Sequence, residues 1–142
     1  MENCIFCQII NRKLPGFIIS QNESVTAFLD INPVSDGHVL VVPNEHTEKL
    51  HEMKNSETVN ALINTLIHTA NLLVKSGICT DYSIVQSNGK YAEQDINHLH
   101  FHIIPRHQND EVVFKLDTDT IAALKDNLLA VSNQLIWIAT QE

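Results

Sequence analysis

What this chain lacks narrows it first. Nine lysines and arginines stand against 17 aspartates and glutamates, a net charge of −8, and nowhere do five basic residues cluster. Binding to nucleic acid depends on Lys/Arg contacts to phosphates, so no nucleic-acid partner is expected. A small phosphate ester held by backbone N–H groups and histidines stays open. No stretch approaches the roughly 18 consecutive apolar residues of a membrane helix, so no membrane partner is expected either. No basic segment followed by an apolar one opens the chain, which predicts no signal peptide and a cytoplasmic location. The three cysteines are too few for a disulfide framework and suit a reducing compartment. There is no internal repeat and no linker. What remains, 142 residues at 44% hydrophobic content, fits one domain with an ordinary core.

The most informative stretch is His98-Leu99-His100-Phe101-His102-Ile103-Ile104-Pro105. Strict alternation predicts a half-buried strand, with side chains at i, i+2 and i+4 on one face. His98, His100 and His102 then form one row, neighbours roughly 6.6 Å apart at about 3.3 Å per residue. Leu99, Phe101 and Ile103 fill the opposite face. Neighbouring imidazoles disfavour one another's charged forms, so the row has little structural reason to exist. Two chemical readings fit it. The row is a metal site, or its central histidine is a nucleophile whose far nitrogen donates the hydrogen bond that fixes the tautomer.

The rest of the chain surrounds that row. Cys4-Ile5-Phe6-Cys7 is a C-x-x-C motif that reads as a zinc half-site, a redox pair or chance, with His46 and His98 as candidate further ligands. Ile5, Phe6, Ile9 and Ile10 suggest a short helical turn ended by Pro15-Gly16. Strands are predicted over 17–20, 24–30 and 38–43, the last a continuous apolar run. A helix is expected to begin near Thr47. Asp30 closes an apolar strand ahead of a loop, as a turn-capping carboxylate or as an acid accepting from both ribose hydroxyls.

Ser56 to Lys75 reads as a long helix with Ser56 as its cap and Gly77 beyond its end. Val59, Leu62, Ile63, Leu66, Ile67, Ala70, Leu73 and Val74 form its apolar stripe. His68 lies off that stripe toward solvent, and Cys79 reads as a small buried residue. A strand over 82–87 leads through Asn88-Gly89 into the histidine strand. The Asn88-Gly89 loop links what are expected to be two central strands, a place where sites are often floored. A final helix from about Asp119 carries Ile121, Leu124, Leu128, Val131, Leu135 and Ile138, with Trp137 beside the stripe.

Three segments together resemble the histidine triad (HIT) family of nucleotide hydrolases and transferases. They are Cys4-Ile5-Phe6-Cys7, then Phe28-Leu29-Asp30-Ile31-Asn32-Pro33 with Gly37-His38-Val39-Leu40-Val41-Val42-Pro43 and His46, then Asn88-Gly89, Gln94 and His98 through Arg106. The resemblance runs in register from Cys4 to about Arg106. It implies an α+β fold, a mainly antiparallel sheet with one long helix packed on it and a C-terminal helix. The HIT domain would span 1–110, with 111–142 an extension of the same structural unit. It implies a homodimer that binds a purine nucleoside monophosphate group and cleaves its α-phosphate linkage.

By the same resemblance His100 is the nucleophile, and His102 contacts the phosphate or bridging atom. Asn88, with the backbone near Gln94-Asp95, holds phosphate oxygens, Asp30 takes the ribose, and Phe6, Ile9, Phe28 and Ile31 surround the base. Cys4, Cys7, His46 and His98 are implied as ligands of a structural Zn2+, which gives His98 a positioning part in catalysis. Expected substrates are adenosine 5′-phosphoramidates, acyl-adenylates and dinucleoside polyphosphates, with AMP released. A non-catalytic nucleotide- or partner-binding module is the alternative, and a metalloenzyme using the triad itself is a third.

This chain departs from the family pattern in places. Glu93 stands where glycine is usual, Asn97 where an aromatic residue is frequent, and Asp95 where some members carry serine. Histidine rather than glutamine at position 102 favours hydrolysis over nucleotidyl transfer. The tryptophan-containing tail of the phosphoramidase branch is not recognisable after Arg106.

Overall fold

The computed structural model describes residues 3–142. The chain divides into two compact units, Met1–Asp110 and Glu111–Glu142.

The first unit contains helix α1 (Ile5–Ile10), strands β1 (Ile18–Gln21), β2 (Val25–Leu29) and β3 (Val39–Pro43), helix α2 (Ser56–Lys75), and strands β4 (Asp81–Val85) and β5 (Phe101–Arg106). The strands form one antiparallel sheet in the order β1-β2-β3-β5-β4. Val39 and Val41 point to one face, into a core with Val25, Ala27, Ile103 and the α2 residues Leu62, Leu66 and Leu73. Leu40 and Val42 point to the other, against Phe6, Ile9 and Ile10 of α1 and Phe28. With both faces covered, every residue of β3 is buried, which explains its unbroken apolar sequence. Leu40 pairs with His102 across the sheet, so His102 stands on the α1 face, opposite the long helix.

The predicted α+β architecture holds, with local corrections. The helix expected from Thr47 is a single 3-10 turn at Leu50–Glu52. The long helix has its predicted limits, but its cap is Asn55, whose side chain accepts from the N–H groups of Glu57 and Thr58. Its buried side is rotated from the predicted stripe. Thr58, Thr65 and Thr69 are buried with Leu62, Leu66, Ala70 and Leu73, whereas Val59, Ile63, Ile67 and Val74 are exposed. Thr69 tolerates burial because its hydroxyl donates to the Thr65 carbonyl at 2.7 Å, leaving only its methyl to pack. Gly77 ends the helix region at φ +80°, a left-handed turn natural to glycine. Cys79 is buried in the helix-side core and His68 is exposed, as expected.

Two further differences bear on the histidine row. β4 is an edge strand rather than a central one. The strand carrying the row begins only at Phe101. Ahead of it the chain turns to other partners: the Leu99 N–H donates to the Thr47 carbonyl at 2.7 Å, and His98 Nε2 lies 2.8 Å from the Pro43 carbonyl. Leu99 and Ile103 are fully buried, so the apolar half of the alternation does enter the interior.

In the second unit the expected single helix is two, α3 (Thr118–Leu124) and α4 (Leu128–Ala139), separated by a 3-10 turn. The Asp117 carboxylate caps α3 by accepting from the Asp119 N–H at 3.2 Å. Neither helix has a buried residue. Among the described residues, no helix is long and apolar enough to cross a membrane.

Candidate metal cluster and histidine-lined cavity

Cys4 is the N-cap of α1, and its sulfur accepts from the Cys7 N–H at 3.4 Å. One helical turn therefore places both sulfurs on one side. They meet two imidazoles there. Cys4 Sγ lies 3.3 Å from His98 Nδ1, and Cys7 Sγ lies 3.5 Å from both His98 Nδ1 and His46 Nδ1. All four ligand atoms fall within 4.8 Å of one another. Zinc–sulfur bonds of about 2.3 Å and zinc–nitrogen bonds of about 2.0–2.1 Å, at tetrahedral angles, require S···N edges of about 3.5 Å. The observed edges match.

The surroundings agree with that use. His98 Nε2–H donates to the Pro43 carbonyl, which leaves Nδ1 as the ligating nitrogen, the outer-shell arrangement typical of metal-bound histidine. Burial, followed by the charges of His46 and His100, pushes His98 down to about 4, so it is a neutral donor near pH 7. Burial and the adjacent Cys4 push the Cys7 thiol up, and a divalent cation is what reverses that and makes both sulfurs thiolate. Two thiolates and two imidazoles fit zinc.

On the same face of the sheet lies a cavity of about 370 Å³. Phe6, Ile9, Phe28 and Ile31 supply apolar wall, and Asp30, Asp95, His100 and His102 supply the polar groups. Phe6 ties the two sites together, with its ring edge-on to Phe28, His98 and His100 at centroid distances of 5.2–5.9 Å.

Hydrogen bonds assign the proton positions. His100 Nδ1–H donates to the His98 carbonyl at 2.7 Å, so in the neutral ring Nε2 carries the lone pair. Asp95 Oδ1 stands 3.3 Å from that nitrogen. The sequence marks His38 only as part of an apolar strand, yet it belongs here. Its Nδ1 accepts from the Val34 N–H at 3.2 Å, and its Nε2 lies 2.9 Å from His102 Nδ1. His38 Nε2 therefore carries the proton and donates it to His102, leaving the His102 proton on Nε2. Burial, then the neighbouring His100 and His38, holds His102 down at about 4. Burial lowers His38 as well. The signal for His38 was available: in 38–43 the residues 38, 40 and 42 share a face.

Asp30 Oδ1 accepts from the Asn32 N–H at 2.9 Å, and Oδ2 lies 3.6 Å from His38 Nε2. It is thus both the turn carboxylate and a wall of the cavity. Of the sequence-predicted binding residues, Asn88 and Gln94 are not among the cavity lining. Asn88 Oδ1 accepts from the Leu50 N–H at 2.8 Å and from Gln86 Nε2 at 2.9 Å. Gln94 accepts from the Gly89 N–H at 2.8 Å and donates to the Glu48 and Ile96 carbonyls. Both bind the loop together. His98 turns from the row toward the cysteines.

A nitrogen with a free lone pair, an imidazole N–H beside it, a carboxylate and an apolar slot make a site for nucleophilic attack on a ligand with a flat apolar part. The family profile described as "HIT domain" matches residues 11–109. The chain belongs to the HIT family. It is 47% identical over 112 residues to an uncharacterized HIT-like protein of Methanocaldococcus jannaschii, covering 79% of this chain and 85% of that one. It is 34% identical over 133 residues to the adenosine 5′-monophosphoramidase of Saccharomyces cerevisiae, covering 89% and 81%. Among solved structures, a zinc-bound histidine triad family protein from Mycobacterium smegmatis superposes with a TM-score of 0.72 at 32% identity, covering 82% of this chain and 84% of that one.

Proposed function

We propose that this chain is a nucleotide hydrolase that cleaves the α-phosphate linkage of adenosine 5′-phosphoramidates and related adenylates through a nucleotidyl-His100 intermediate. The observation that carries the reading is the His100 tautomer. Its Nδ1–H is committed to a backbone carbonyl, so the nucleophilic nitrogen faces the cavity without needing a base to free it. In the first step a bond forms between His100 Nε2 and phosphorus, and the phosphorus–leaving-group bond breaks. Its electron pair departs with the leaving atom, which takes a proton from solvent. In the second step water attacks phosphorus, the N–P bond returns its pair to His100, and the proton goes back to solvent with AMP.

His102 Nε2–H donates to a phosphoryl oxygen as charge develops there. Asp30 accepts from the ribose hydroxyls, and Phe6, Ile9, Phe28 and Ile31 enclose the base. Asn88 and Gln94 support the phosphate by fixing the loop that carries Asp95. Cys4, Cys7, His46 and His98 would hold a structural zinc, which supplies cross-linking of α1 and the His46 segment to the start of the catalytic strand. His98 then positions His100 through its own carbonyl. The exposed apolar residues of α2, with Tyr82 and Ile84 on edge strand β4, support a homodimer through that side. A cytoplasmic location and the absence of nucleic-acid and membrane partners complete the reading.

The test is AMP release from adenosine 5′-phosphoramidate by wild type and by His100→Ala. Turnover by the first and none by the second is expected. Equal turnover by both contradicts the nucleophile. Tight AMP binding without turnover would select a binding module instead.

A further inference from the structure

Helix α1 is held at its two ends by different means. At the C-terminal end the Ile10 carbonyl accepts from Gln21 Nε2 at 3.0 Å. Ile9 packs so closely on Gly16 that a Cβ there would meet Ile9 Cγ2 at 2.7 Å. The N-terminal end carries Cys4 and Cys7, whose sulfurs reach His46 and His98. Without a metal those contacts rest on thiols, which are weak donors. A helix of six residues is too short to hold itself. His98 and His100 keep anchors that need no metal: the Pro43 carbonyl for His98 Nε2–H, the Thr47 carbonyl for the Leu99 N–H, and the His98 carbonyl for His100 Nδ1–H.

Phe6 lies between the two cysteines in sequence and is buried. Its ring stands edge-on to His98 at 5.9 Å, and to Phe28 at 5.4 Å and His100 at 5.2 Å, two residues of the cavity wall. We infer that metal occupancy at Cys4, Cys7, His46 and His98 sets the affinity of the cavity for a nucleotide base, with Phe6 as the positioning residue that joins the two sites. This rests on the hydrolase reading above for what fills the cavity, and deepens it. With the cluster loaded, the first turn of α1 is pinned and Phe6 is already in place as a wall. With the cluster empty, that turn loosens, and a base must order it on binding, at a cost in affinity. Linkage makes the effect reciprocal, so a bound base tightens the metal by the same factor. Ribose and phosphate are met by Asp30, His100 and His102, none of them on α1. A ligand without a base is therefore insensitive to the metal.

Titration calorimetry of the full chain, zinc-loaded and then stripped by a chelator, measures the binding of AMP and of ribose 5-phosphate. AMP is expected to bind the stripped chain about tenfold more weakly, and ribose 5-phosphate to bind both forms equally. In the other direction, zinc competed against a chelating dye should bind about tenfold more tightly under saturating AMP. Ribose 5-phosphate at matched saturation should leave it unchanged. Phe6→Leu keeps an apolar side chain on the helix, and should weaken AMP in the loaded chain and cut the zinc-dependent factor to about two. Equal AMP affinity with and without zinc overturns the inference and leaves the hydrolase reading standing. So does equal tightening of zinc by both ligands, which marks coupling through folding of the whole chain. An undiminished factor in Phe6→Leu overturns the part given to Phe6. Failure of AMP to bind the zinc-loaded chain overturns the inference and the hydrolase reading together.

Discussion

His38 Nε2 stands 2.9 Å from His102 Nδ1, and this contact decides which nitrogen of His102 faces the cavity with a proton. The Val34 N–H occupies the far side of His38, so the relay runs in one direction. His38→Phe is expected to lower kcat by about 10²-fold with little change in KM. His38→Gln, which can still donate an N–H to His102, should recover part of the loss. Steady-state kinetics on the three proteins decides it, and a wild-type kcat in His38→Phe would dismiss the relay.

Acid should destabilise the fold. His98 and His102 are both held near 4 against an ordinary value of 6.5, and His38 is lowered by burial. Between those values the unfolded chain binds more protons than the folded one, so stability present above pH 6.5 is lost as pH falls toward 4. Urea midpoints at intervals across that window should fall with pH. The dependence should be shallower in His102→Asn. A flat profile would contradict the assigned protonation states.

The metal should be structural. Wild type is expected to carry about one zinc per chain, and Cys4→Ser/Cys7→Ser none, with a lower melting temperature. Cobalt in place of zinc should give the absorption of a tetrahedral thiolate site and keep turnover. Stoichiometric metal retained by the double variant would place the ion elsewhere.

Glu93 sits in the left-handed region at φ +63°, where a side chain crowds its own backbone. Glu93→Gly should relieve that strain and outweigh the greater freedom of glycine when unfolded, stabilising the chain by about 0.5–1 kcal/mol. Denaturant titration measures this, and destabilisation would mean that Glu93 makes a compensating contact.

Much of this was legible in sequence because local signals agreed with the fold. The limits of α2 follow from its periodicity and from Gly77, and the core alternation of Leu99 and Ile103 follows from strand geometry. What escaped depended on tertiary partners. The alternation could not tell that Thr47 and Pro43 draw off Leu99 and His98 before the strand starts. The helix pattern could not rank Ile63 against Thr69, because a threonine that satisfies its own hydroxyl is as buriable as a hydrophobe. In the site, residue types marked the cysteines and the triad, whereas for His38 the strand alternation gives only the face, and its place in the site follows from its contact with His102. The contacts that the Asn88 and Gln94 side-chain amides make with the Leu50 and Gly89 N–H groups and the Glu48 carbonyl depend on the folded loop and have no local signal.

The most direct measurement is rapid quenching of the wild-type chain during turnover of adenosine 5′-phosphoramidate, followed by intact-mass analysis and peptide mapping. One adenylyl group attached at His100, formed and lost at rates compatible with turnover and missing in His100→Ala, is the result predicted. Turnover with no adduct at any time point, or with the adduct on another residue, would contradict the account.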